Sequence, residues 1–179
     1  MKTLILGAKG MLGQELVKAF ADTDVAAWDR EECDILFPQS EAKVRSLAPH
    51  IIVNAVAYND VDGAEGDGRE MAFKLNAEAP GNLARIAREL NATFVHFGTD
   101  FVFDGVKGDY SEDDEPNPIS IYGASKLKGE QAVLGSGARA YVISLARLFG
   151  KPAVSEGGKK SFIDLMLDLA TKKHHIDLV

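Results

Sequence analysis

Thr3-Leu4-Ile5-Leu6-Gly7-Ala8-Lys9-Gly10-Met11-Leu12-Gly13 begins with a short apolar run and passes straight into a G-x-x-G-x-x-G turn. The residues that follow, Leu12 to Phe20, place apolar side chains at three- and four-residue spacings, the period of a helix. Glycines let a backbone turn sharply and come close to a pyrophosphate, while a helix amino terminus presents unpaired N–H groups and a partial positive charge. A glycine turn also joins strand to helix for structural reasons alone, but one that begins at residue 7, directly after a strand, favours the nucleotide reading. Gly7, Gly10, Met11, Leu12 and Gly13 are therefore candidate cofactor contacts.

Outward from this unit the alternation continues. Val25 to Trp28, Ile51 to Ala55, Phe94 to Phe97 and Tyr141 to Leu145 read as further strands, and Ser40 to Leu47, Arg69 to Leu90, Tyr122 to Leu134 and Ser161 to Lys173 as further helices. Strands separated by helices predict an α/β fold, a doubly wound Rossmann-type parallel sheet whose right-handed crossovers put helices on both faces. The 179 residues suffice for one domain with a real core, and no repeat or linker-like composition divides them. Two segments break the rhythm. Asp100 to Pro118 is polar and interrupted by glycine and proline; because it follows a strand, it is expected at the carboxyl edge of the sheet, where ligands bind. Ile176 to Val179 reads as the start of another strand.

With 20 Lys plus Arg against 27 Asp plus Glu the formal charge is −7 and no basic block is present, which argues against nucleic acid or an anionic membrane as a partner. Apolar residues make up 46% and charged residues 26%, the balance of a soluble domain rather than a disordered or fibrous chain. No apolar run approaches the roughly 18 residues that span a bilayer, and Gly7 and Lys9 cut the first run short of a signal peptide. Cys33 is the only cysteine, which rules out an intrachain disulfide and a thiolate metal cluster, so a cytoplasmic setting is expected.

The strand ends carry the remaining cofactor candidates. Trp28-Asp29-Arg30 closes the second strand: an acid there accepts from ribose hydroxyls and favours NAD, whereas an adjacent Arg meets a 2′-phosphate and favours NADP, so the choice between NADH and NADPH stays open. Asp34 and Ile35 are placed to bracket an adenine, with a surface-loop Asp as the plain alternative. Asn54-Ala55-Val56-Ala57 ends the third strand with small residues that let backbone lie near a cofactor or, equally, pack closely on a helix. The most informative string is Tyr122-Gly-Ala-Ser-Lys126, whose spacing of four puts phenol and ammonium on one helix face. A neighbouring ammonium is expected to lower the phenol's pKa and make it a proton donor to a ketone oxygen. Thr99, at the end of the fourth strand, is placed to hydrogen-bond the same oxygen.

Gly7 to Gly13, Asn54 to Ala57, Thr99-Asp-Phe-Val-Phe-Asp-Gly105 and Tyr122 to Lys126 together resemble the extended short-chain dehydrogenase/reductase family. Within it, Tyr58-Asn-Asp-Val-Asp-Gly-Ala-Glu65, Asn76-Ala-Glu-Ala-Pro80 and Tyr122-Gly-Ala-Ser-Lys-Leu-Lys-Gly-Glu130 are similar to the dTDP-4-dehydrorhamnose reductases. The resemblance implies reduction of the C4 ketone of a dTDP-4-keto-6-deoxy sugar by NADPH or NADH, giving dTDP-L-rhamnose, a cell-surface polysaccharide precursor. It implies that Tyr122 protonates the ketone oxygen, that Lys126 holds the nicotinamide ribose and tunes Tyr122, and that Thr99 orients the carbonyl. It also implies Gly7, Gly10 and Gly13 at the pyrophosphate, Asp34 and Ile35 at the adenine side, Ala55 and Ala57 along the cofactor's middle, and Arg147-Leu-Phe-Gly150 beside the nicotinamide.

Gly98 stands where the family usually has Ser, and Phe101 where it usually has Tyr. The family also carries a further C-terminal segment that supplies much of the sugar-nucleotide pocket, so residues 1–179 are expected to be the NAD(P)-binding part. The resemblance allows a homodimer. It also allows magnesium, with Glu15 as a ligand, although a solvated first-turn carboxylate is the plainer reading of Glu15. No metal site is expected: His50 and His96 lie in or beside strand patterns, and His174 and His175 are adjacent, which suits no chelating helix face. Lys159-Lys160 and the run Glu112 to Glu115 read as solvated surface, with neutralisation of a substrate diphosphate the alternative for the lysines. Two other functions compete: a sugar-nucleotide epimerase or dehydratase on the same scaffold, disfavoured because Phe101 and not Glu follows Asp100, and a nucleotide-binding regulatory subunit without catalysis.

Overall fold

The computed structural model describes residues 1–154, 161–172 and 175. Its strands are β1 (Lys2–Leu6), β2 (Asp24–Trp28), β3 (Ile51–Asn54), β4 (Thr93–Thr99) and β5 (Arg139–Leu145), all parallel, in the order β2-β1-β3-β4-β5. Its helices are α1 (Met11–Ala19), α2 (Pro38–Leu47), α3 (Val61–Ala64), α4 (Arg69–Phe73), α5 (Ala79–Glu89), α6 (Ile121–Leu134) and α7 (Phe162–Lys172). The expected doubly wound parallel sheet is therefore present.

The strand order dictates where a ligand fits. The chain leaves β1 for β2 on one side and returns to β3 on the other, so a crevice opens between the carboxyl ends of β1 and β3. The reversal also reverses the side on which a right-handed crossover lies, which puts α1 on one face and α2, α5 and α6, packed in that sequence, on the other. Under those three helices lie Leu4, Leu6, Ile52 and Phe94, every second residue of their strands and each at most 1% exposed.

The helix expected over Arg69 to Leu90 is continuous but contains a π turn at Lys74–Glu78. Pro80 explains it, because a proline lacks the N–H that an α-helix would bond to Asn76 and its ring would strike that carbonyl. The displaced Asn76 carbonyl instead faces α6, where any side chain at Gly129 would collide with it. Two short elements escaped the sequence reading: α3, and a 3₁₀ turn at Asp100–Val102. β3 ends at Asn54, so Ala55 already belongs to the crevice wall. Tyr141 and Ile143 on the edge strand β5 are exposed, as are Ile163, Leu165 and Leu167 on α7. Among the described residues no helix is long and apolar enough to cross a membrane. Ile176 to Val179 lies outside them.

Candidate functional site

The glycine turn is held by its neighbours. Gly7 adopts φ +78°, and the N–H groups of Gly7 and Ala8 both donate to the Trp28 carbonyl, at 2.9 and 3.1 Å, fixing the turn to β2. A Cβ at Gly7 would stand 3.0 Å from the Ala55 carbonyl carbon, so the exit of β3 passes against bare backbone. Gly10 caps α1 without a side-chain hydrogen bond, and the first turn of α1 holds no acid. The opening N–H groups of α1 thus face the crevice uncapped, the chemistry of an anion site. Gly13 differs from expectation: it does not line the crevice, and a side chain there would collide with the Gly7 carbonyl. Its role is to let α1 lie on the turn.

Around this turn opens a cavity of about 810 Å³ whose wall includes Gly7, Gly10, Met11 and Leu12. Asp29, Arg30, Asp34 and Ile35 line its β2 end. The Asp29 carboxylate already accepts the Lys9 N–H at 2.7 Å on Oδ2 and the Arg30 N–H at 2.8 Å on Oδ1. It therefore braces the glycine turn, whereas the Arg30 side chain is 83% exposed and meets Asp34 at 3.2 Å. Asn54, Ala55, Val56 and Ala57 form the β3 wall. Asn54 shapes that wall by accepting the Val56 N–H at 3.2 Å and meeting the His96 Nδ1 at 3.2 Å. After β5 the chain passes over the same turn, with the Val154 N–H donating to the Lys9 carbonyl at 2.9 Å and Gln14 to that of Pro152 at 3.0 Å.

Thr99, Tyr122 and Lys126 line the other end of the same cavity. Ser120 caps α6 by accepting the Gly123 N–H at 3.0 Å, and the Glu65 carboxylate, at the end of α3, accepts that of Ile121 at 2.7 Å. Glycine at 123 is required because the Phe101 carbonyl occupies the space of a side chain. That close approach brings the 3₁₀ turn, and with it Thr99, onto the Tyr122 end of α6. Asn76 ties the far wall to the helix, accepting the Tyr58 N–H at 2.8 Å and donating to Ser125 Oγ at 3.0 Å. The sequence offered strings containing Glu65 and Asn76, but no spacing rule assigned them these contacts.

Tyr122 and Lys126 share the buried face of α6, at 9% and 3% exposure. Their electrostatics differ from the expectation. Burial pushes the Tyr122 phenol above its usual value, a hydrogen bond with Thr99 pulls it down, and the Asp100 charge pushes it up again; Lys126 is not among the groups that set it. The ammonium instead donates to the Phe97 carbonyl at 2.6 Å, and burial lowers its pKa to about 8 against the raising charge of Glu130. A phenol with a raised pKa is fully protonated at neutral pH, the state a proton donor needs.

Of the other residues singled out, Glu15 lies beyond the first turn of α1 and pairs with Lys18 at 2.5 Å, so the helix-dipole reading does not hold. Among the described residues no group of three or more His, Cys, Asp or Glu is arranged to hold a metal. His50 accepts the Lys2 N–H at 3.0 Å. The loop after Thr99 is ordered by Asp104, which accepts from Tyr110 Oη, the Val106 N–H and Asn117; these bonds, that of Tyr110 first, hold its carboxyl down to about 2. In the acidic run, Asp114 accepts from Ser111 and pairs with Lys107 at 2.5 Å, while Glu112, Asp113 and Glu115 are exposed. His174 and Lys159-Lys160 lie outside the described residues.

A parallel sheet with its glycine turn at the switch point, facing a Thr-Tyr-Lys set across one cavity, defines an extended short-chain dehydrogenase/reductase scaffold. The chain belongs to the RmlD substrate binding domain family, whose model matches residues 1–179. It is 38% identical to dTDP-4-dehydrorhamnose reductase of Burkholderia thailandensis over 100% of this chain and 59% of that protein. It is 32% identical to bovine methionine adenosyltransferase 2 subunit beta over 93% of this chain and 52% of that one. The crystal structure of dTDP-4-dehydrorhamnose reductase from Bacillus anthracis in complex with NADP superposes with a TM-score of 0.88 at 32% identity, over 98% of this chain and 61% of the other. The chain thus spans about 60% of the length of the reductases it matches.

Proposed function

We propose that these residues are the cofactor-binding part of an NAD(P)H-dependent reductase acting on the C4 ketone of a dTDP-4-keto-6-deoxy sugar, with the remaining length found in the relatives supplying most of the sugar contacts. The observation that carries this reading is the convergence of Thr99, Tyr122 and Lys126 on the cavity that also holds the uncapped amino terminus of α1. The residues present suit a dinucleotide: bare backbone at Gly7, free N–H groups at α1, and a cavity of about 810 Å³ running from Arg30 to Lys126.

Bound NAD(P)H supplies a hydride. Tyr122 Oη holds a proton at neutral pH and delivers it to the ketone oxygen, which Thr99, hydrogen-bonded to that phenol, would help to orient. Lys126, on the same helix face and in the wall of the same cavity, would hold the ribose hydroxyls. The segment 150–154 is bonded to Lys9 and Gln14 and so lies over the turn. Tyr122→Phe in the full-length protein is expected to leave NADPH affinity unchanged while lowering turnover about 10²- to 10⁴-fold. Turnover equal to wild type refutes the assignment.

The bovine relative supports a second reading, in which the chain binds a nucleotide and regulates a partner without chemistry. The intact Thr99, Tyr122 and Lys126 set argues against it. Full-length protein that binds NADPH but never oxidises it in the presence of the keto sugar would select that reading instead.

A further inference from the structure

The face of α6 that carries Tyr122 and Lys126 continues one turn further to Glu130, since residues four apart lie over one another on a helix. The proposed chemistry makes no use of this carboxyl, yet it sits against the site from behind. Its Oε1 is buried without a hydrogen-bond partner and occupies the space that a side chain at Gly98 would fill. Ser144 Oγ lies 3.3 Å from that same point. Burial raises the Glu130 pKa, while the Thr99 N–H and the Lys126 charge pull it down. An unpartnered buried carboxyl oxygen is costly, and an apolar side chain would avoid that cost. The missing side chain at position 98 leaves the carboxyl its room.

We infer that Glu130 is a positioning residue of this site, a buried carboxyl that fixes the Gly98-Thr99 backbone from behind and supplies the negative charge facing Lys126. The surroundings support this. Among the described residues, Glu130 is the carboxylate that acts on Lys126. Of the other titratable groups on elements packed against α6, His96 of β4 feels the Lys126 charge and Asp100 of the 3₁₀ turn acts on Tyr122. Glu65 is bound at the helix start, Lys74 and Glu78 of the π turn are exposed, and so are Arg69 and Glu70 of α4, Arg85, Arg88 and Glu89 of α5, and Arg139 and Tyr141 of β5. With Glu130 removed, Lys126 keeps its burial and loses its counter-charge, so its proton leaves at lower pH.

The inference relies on the proposed function only for why Lys126 must stay charged, and the test separates the two. Full-length protein with ¹³C-labelled lysine is titrated by NMR, with Lys126 assigned by its absence in Lys126→Arg, and NADPH affinity is measured across the same pH range. Wild type is expected to titrate near pH 8. Glu130→Gln should bring that midpoint down by about one pH unit, and Glu130→Asp, which withdraws the charge by one methylene, by less. An unchanged midpoint in folded Glu130→Gln overturns the inference; where that variant fails to fold, an unchanged midpoint in Glu130→Asp does so. A midpoint that moves while NADPH affinity stays flat with pH supports the role of Glu130 and counts against Lys126 as a cofactor contact.

Discussion

Replacing His96 by Gln should remove a pH dependence from the folding equilibrium. His96 is 1% exposed, its Nε2 has no partner, and burial first, then the Lys126 charge, lower its pKa to about 3 from 6.5. The folded chain therefore keeps this imidazole neutral at any pH above about 3, whereas the unfolded chain protonates it as pH falls through 6.5. Below 6.5 the unfolded state binds more protons, so stability falls with falling pH until the folded group also titrates. Each tenfold change in proton affinity is worth about 1.36 kcal/mol, so the full effect is about 5 kcal/mol. Between pH 7 and pH 5 the unfolded imidazole takes up about 0.7 of a proton, which amounts to about 2 kcal/mol, and any folded midpoint well below 5 gives the same figure. Urea unfolding at both pH values measures the loss in wild type and in His96→Gln. Carboxylates such as Asp104 and Asp114 contribute equally to both proteins, so the difference isolates the histidine. Equal pH increments in the two proteins would refute a neutral, desolvated His96.

Three other changes test the site and its supports. Lys126→Met should weaken NADPH binding; because a pKa held at about 8 marks a charge that burial disfavours, the stability of wild type should rise between pH 8 and 10, a rise the variant should lack, as read by denaturant titration. Gly13→Ala forces α1 away from the Gly7 carbonyl, at a cost of about 1 to 3 kcal/mol in thermal unfolding, and calorimetry should show a loss of NADPH affinity larger than that of Gly66→Ala, whose Cβ meets only the Gly63 carbonyl, at 3.9 Å. Ser120→Ala removes the side-chain cap of α6 and should lower stability by about 1 kcal/mol in urea titration.

The elements and the glycine turn were legible because strands 4–7 residues long alternate with amphipathic helices, and that pattern is local. The Tyr122 and Lys126 face was legible for the same reason: a spacing of four is a statement about one helix. What the sequence hid depends on contacts between distant segments. Gly13 belongs to the motif by spacing, but only the packing of α1 onto Gly7 shows that it supports the turn without lining the cavity. The expected effect of Lys126 on Tyr122 failed because the ammonium finds the Phe97 carbonyl, 29 residues away in the chain. Glu65, Asn76 and Glu130 act across separations of tens of residues, where no periodicity reaches. The π turn was signalled by Pro80, although its outcome, a carbonyl turned against Gly129, needed the partner helix.

The bracing of the turn by Asp29 bears on any attempt to redesign coenzyme preference. An acid at the end of the second strand is the obvious position to exchange when switching between the two nicotinamide coenzymes, but here both of its oxygens are bonded to the main chain of Lys9 and Arg30. Exchanging it would slacken the glycine turn itself and, on the proposed reading, penalise both coenzymes alike. Arg30, whose side chain is largely exposed and pairs with Asp34, is the position at which the proposed reading expects selectivity to change with the turn left intact.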